Sequence, residues 1–169
     1  YRYADAVKLA GHSCPTVAGA YLLARRALAA LYPDALPERG DIQVEFRNAQ
    51  ENGVTGVIAA VVGLITGAAG VGGFKGIAGR FSRRDLLCFD DPDQPGEVAF
   101  TRRDSGKRLE LTLHLEQVPP DPRTAPLLQR LLAGESNPAI ARAFADLWQE
   151  RVRRILVDHI DDQRLVTLI

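Results

Sequence analysis

The chain has 169 residues, 46% of them hydrophobic and 25% charged, which suits one domain with a single sizeable core and leaves little for a second. Lys plus Arg and Asp plus Glu balance at 21 each, so the overall charge gives no reason to expect DNA, RNA or an anionic membrane as partner. Two cysteines, Cys14 and Cys88, are too few for a disulfide-stapled secreted scaffold and favour a reducing, cytoplasmic setting.

No basic segment followed by an apolar stretch opens these residues, so no secretory leader is expected in them. Tyr3 to Leu9 reads as a short helix that runs into the loop Gly11-His12-Ser13-Cys14-Pro15. Proline suits the first helical position because its missing N–H is not needed there, which makes Cys14 the N-cap of a helix from Pro15 to Leu31. In that helix Val17, Tyr21, Leu22, Leu28 and Leu31 share a face, and Ala18, Ala24 and Ala27 permit close packing. Pro33 and Pro37 break the pattern. Alternation of Ile42, Val44 and Phe46 with Gln43, Glu45 and Arg47 then predicts a half-buried strand.

Val54 to Ile65 is apolar on all sides and predicts the most buried helix, packed on the sheet. The apolar run continues to Val71, but its glycines and threonines argue for a buried helix and a glycine-rich turn instead of a membrane span. Strands are expected at Gly76 to Phe81 and Leu86 to Asp90, a turn at Asp91 to Gly96, and a hairpin of Val98 to Arg102 with Leu109 to Glu116 around Asp104-Ser105-Gly106. Pro119, Pro120 and Pro122 should end the sheet. Helices follow at Thr124 to Ala133 and Pro138 to His159, the second capped by Asn137. Ile140, Phe144, Leu147, Ile155 and the neighbouring Trp148 give it an apolar stripe, which reads as core or a helix contact. Together these elements predict an α+β domain spanning 1–169. A short mixed or antiparallel sheet packs against helices, one strongly apolar, with a core over 1–118 and a C-terminal helical extension over 119–169.

The order of a His-x-Cys-Pro loop opening a helix, a strand, an Asn-Gly-Val helix, a Thr-Gly turn with spaced glycines and a short antiparallel sheet resembles the FmdE-like family, named for a component of formylmethanofuran dehydrogenase. The resemblance covers about residues 3–100. The family loop reads His-x-Cys-Pro-Gly-x-x-x-Gly. His12, Cys14, Pro15 and Gly19 match it, while Thr16 replaces the first of those glycines. Where the family has Cys-Gly-Val-Asp and Thr-Gly-Cys-Thr, this chain has Asn52-Gly53-Val54-Thr55 and Thr66-Gly67-Ala68-Ala69, so both of those family cysteines are absent. The C-terminal zinc ribbon of some members is missing too. The resemblance implies a small α+β protein, commonly a homodimer, with a transition metal near the His-x-Cys loop. The family name does not carry an activity with it.

Thiolate sulfur and neutral imidazole nitrogen suit zinc, with nickel, iron or copper as other choices. His12 and Cys14 are therefore the expected metal ligands, and two ligands leave a tetrahedral site open. Cys88 and His114 are secondary candidates, Glu45 and Glu51 are carboxylates that could complete the set, and His159 near a helix end reads as a partner of the helix dipole. Cys88 lies in the apolar run Leu86-Leu87-Cys88-Phe89, where an inert thiol is expected, and His114 alternates with Leu113 and Leu115 and so faces away from them. The glycine stretch from Gly67 to Gly79 has neither the dinucleotide nor the Walker pattern, although Lys75 could meet an anionic ligand. Arg83-Arg84, Arg102-Arg103 and Arg151, Arg153, Arg154 read as solvated faces. Two functions remain open: a metal-binding protein with a ligand-binding, metal-handling or accessory role to a larger enzyme complex, and an enzyme acting on a small molecule with Cys14 as nucleophile or redox thiol.

Overall fold

Proline at the first helical position and the apolar spacing behind it produce the central element. The computed structural model describes all 169 residues and places helix α1 at Tyr3–Ala10 and α2 at Pro15–Leu31, joined by the His12 loop. Small side chains make α2 narrow: Ala18, Ala20, Ala24 and Ala27 are fully buried, as are Val17, Leu23 and Leu31. Strand β1 (Ile42–Phe46) buries alternate residues, so Ile42, Val44 and Phe46 face the helices. Each such side chain contributes about 1.5–3 kcal/mol on leaving water.

Helix α3 follows at Thr55–Thr66, then strands β2 (Leu87–Cys88), β3 (Val98–Arg102) and β4 (Arg108–Leu113). Beyond a 3₁₀ turn at Leu115–Gln117 come α4 (Thr124–Leu132), α5 (Pro138–Arg153) and strand β5 (Val166–Leu168). The sheet order is β2-β1-β3-β4-β5; β1 and β2 are parallel and the other pairs antiparallel. The fold is thus α+β, with α2 and α3 packed together and the inner sheet face contributing Val98, Phe100 and Leu111 to the same core. No helix is long and apolar enough to cross a membrane.

Several expectations give way to the structure. The expected strand at Gly76 to Phe81 is a turn with one isolated bridge, Ile77 to Arg80, because no neighbouring strand is available to it. Strand β4 stops at Leu113, where the chain tightens into the 3₁₀ turn. The prolines at 119, 120 and 122 do not end the sheet: the last residues of the chain return and add β5 to the free edge of β4. Residues beyond 118 are therefore not a purely helical extension, since Leu165 and Val166 belong to the main core. Helix α5 does not reach His159 in α geometry, and Arg154–Asp158 forms a π turn. Finally α2, not α3, is the most buried helix. Helix α3 buries Ile58, Ala59, Val61 and Val62, but Val57 on its other face and the preceding Val54 are 39% and 49% exposed.

Candidate functional site

Cys14 is the N-cap of α2, with extended backbone and its Sγ accepting the Val17 N–H at 3.4 Å. Its side chain is 6% exposed and joins the core. His12 is exposed two residues earlier. Its Nδ1 lies 3.0 Å from the carbonyl oxygen of Ala10, and a carbonyl can only accept. Nδ1 is therefore the donor, and in the neutral ring that leaves the lone pair on Nε2, the arrangement by which protein histidines are set up as metal ligands. Beside it a cleft of about 290 Å³ is lined by Leu9, Ala10, His12, Gly56, Val57, Ala60 and Val61, so the imidazole faces the exposed apolar side of α3.

Ser13, between the two candidate ligands, is held from the far end of the chain. Trp148 Nε1 and Gln149 Nε2 on α5 both donate to its carbonyl oxygen at 3.2 Å. Ser13 Oγ donates to Gln149 Oε1 at 3.0 Å, which leaves it to accept the Tyr3 hydroxyl at 2.9 Å. Burial raises the Tyr3 phenol above its ordinary value, so that hydroxyl stays protonated and able to donate. The sequence places Trp148 in an apolar stripe and gives no direct sign of the roles of Gln149 and Ser13. The indole N–H is the available signal, because a half-buried Trp finds an acceptor.

The other candidates lie elsewhere. Cys88 pairs in register with Glu45 on the sheet face turned away from the helices, and its Sγ is 3.7 Å from the Asp85 carbonyl. Burial, then Glu45 and Asp85, push its thiol above the ordinary range. Glu45 on that face is ion-paired to Arg108. His114 has both ring nitrogens engaged: Nδ1 donates to Glu116 Oε1 at 2.9 Å and Nε2 is 3.1 Å from Thr167 Oγ1, which ties the end of β4 to β5. His159 donates from Nδ1 to Asp162 Oδ2 at 2.9 Å in the turn after α5. Glu51 and Lys75 are exposed.

No three His, Cys, Asp or Glu side chains converge as a metal-holding group within the chain. His12 Nε2 and Cys14 Sγ match a transition metal in donor type, and one chain supplies only these two. The largest cleft, about 650 Å³, lies between α4 and α5 and shares no residue with the His12 cleft; its arginines, Arg123 and Arg130, are paired with Asp121 and Glu135. Comparison with models of protein families, and with curated proteins, finds no match for this chain.

Proposed function

We propose that this chain is a small cytoplasmic metal-binding protein, similar in plan to the FmdE-like family, which holds zinc or a related ion at His12 and Cys14. The observation that carries the reading is the hydrogen bond from His12 Nδ1 to Ala10, which frees Nε2 two residues from a helix-capping sulfur. A second copy of the chain completes the site in this reading. Supporting that is the apolar surface beside His12, where Leu9 is 50% and Val57 39% exposed. A helix apolar all round ordinarily has cover on every face. The role is ligand binding, metal handling or service to a larger enzyme.

Elemental analysis of untreated protein tests this directly. Wild type should carry a transition metal, and Cys14→Ser and His12→Ala should each lower its content by on the order of tenfold or more. Unchanged metal in both variants sinks the assignment. A Val57→Glu variant should run as a monomer by light scattering and lose metal with the dimer; metal retained by the monomer would remove the second copy from the site. The enzyme reading, with Cys14 as nucleophile and His12 as its base, fits less well, because the sulfur is buried and accepts the Val17 amide.

A further inference from the structure

Away from the His12 loop, the fold brings three arginines to the walls of one small cleft. The cleft is about 140 Å³, with Glu38, Arg39, Gly40, Asp41, Phe81, Arg83 and Arg103 as its walls. These residues come from the segment before β1, the end of the glycine-rich loop and the β3–β4 turn. In two of the basic pairs of the sequence, one arginine is tied into the fold and the other lines this cleft. Arg84 donates from Nε to the Val71 carbonyl at 2.8 Å. Arg102 binds Asp104 and the Leu31 carbonyl and lies over the Tyr32 ring.

Arg83 has no such anchorage, and Arg103 has only a long ion pair with Asp41. The Arg83 guanidinium makes no hydrogen bond or ion pair with the protein. Arg103 Nη1 stands 3.9 Å from Asp41 Oδ1, beyond hydrogen-bond reach. Arg39 is anchored as well: Nε and Nη2 bond the Leu64 carbonyl, and its guanidinium carbon lies 5.4 Å from the centre of the Tyr1 ring.

Two glycines in left-handed backbone make room for these side chains. Gly40 has φ +95°, and a Cβ there would sit 3.1 Å from Arg83 Nε; Gly67 has φ +79°, and a Cβ there would meet Arg39 Cγ at 2.9 Å. The Gly40 N–H donates to Thr66 O at 2.7 Å and locks the two segments together. Phe81, on the cleft wall, is held at φ +63°, a conformation that a bulky residue rarely adopts. Such strain persists only where surrounding structure imposes it, and it concentrates at binding sites.

We propose that this cleft binds a small oxyanion of the phosphate class, as free phosphate or as the phosphate end of a larger molecule. Arg83 and Arg103 are the donors, in the planar fork geometry that suits tetrahedral oxyanions. Glu38 and Asp41 line the same cleft and offset much of the arginine charge. Binding therefore depends on directed hydrogen bonds more than on bulk attraction. The volume admits an end group and not a whole metabolite, and the exposed Phe81 ring is placed to meet what is attached.

Titration calorimetry at constant ionic strength, balanced with chloride, tests the site with inorganic phosphate and with phenyl phosphate. Wild type and Arg142→Gln, an exposed change on α5 outside the cleft, should bind alike. Arg83→Gln and Arg103→Gln should each weaken binding by about tenfold or more. Tighter binding of inorganic phosphate identifies the free ion as ligand, and tighter binding of phenyl phosphate identifies an end group. Circular dichroism melts establish that each variant is folded, and one folded cleft variant suffices to decide. No heat with either probe on folded wild type, or equal affinity in the Arg83, Arg103 and Arg142 variants, overturns the proposal.

Discussion

Replacing Trp148 with Phe keeps an aromatic ring on α5 and removes one of the two N–H groups that hold the Ser13 carbonyl. The expected loss is about 1 kcal/mol in urea denaturation, the net value of one such bond. Metal content should fall as well if the loop is the ligand element; a variant unchanged in both would show α5 merely resting on the loop. Cys88 offers an independent check of local electrostatics. Burial and the nearby Glu45 and Asp85 raise its pKa, so its alkylation should require higher pH than that of a free cysteine. A rate profile with a midpoint at or below the free-thiol value of about 8.5 would contradict this. Proline at the first helical turn is enough to place Cys14 as a cap, because that rule is local. The α5 partners of Ser13 stay hidden in the sequence, since 135 or more residues separate them from it and no periodicity reports such contacts. Paired arginines read as solvent-facing for the same reason: only the folded chain distinguishes Arg84, bound to a carbonyl, from Arg83, which is not.

Strand β5 is the element whose loss should matter most for its size. Leu165, next to it, is fully buried in the main core, and Leu165→Ala should cost about 2–5 kcal/mol by chemical denaturation. A cost below about 0.5 kcal/mol, the level of an ordinary surface change, would mean that the C-terminal segment is loosely attached. Helices α2 and α5 are readable because caps and 3.6-residue spacing persist over many residues, and α3 because its apolar run is unbroken. Strand β1 is readable from strict alternation. Three residues, Val166 to Leu168, carry too little pattern to announce β5, which exists because the edge of β4 has unpaired N–H and C=O groups to satisfy. Gly76 to Phe81 fails as a strand for the converse reason. Its composition allows extension, but it has no edge to join. The apolar run of α3 is legible as a helix, yet hydropathy alone does not say which face a single chain covers.

The balanced charge of the chain means that acid makes it strongly positive as its carboxylates protonate. Hydrogen bonding to Arg102 lowers the Asp104 carboxyl to about 2, and Arg123 does the same for Asp121. Unfolded aspartate titrates near about 3.9, so the stability these pairs give is complete above that value and is lost as pH falls toward about 2. Melting temperature should hold steady from about pH 7 to 5 and decline below about 4, and a rise over that last interval would refute the sign. The grip of Trp148 and Gln149 on Ser13 has another consequence, one of timing. During synthesis the His12 loop emerges long before α5, and the hold of Trp148 and Gln149 on it forms only once α5 has left the ribosome. A chain that stops short of α5 therefore carries the loop on its local bonds alone, those of Tyr3, Ala10 and Val17, and lacks the clamp on the Ser13 carbonyl.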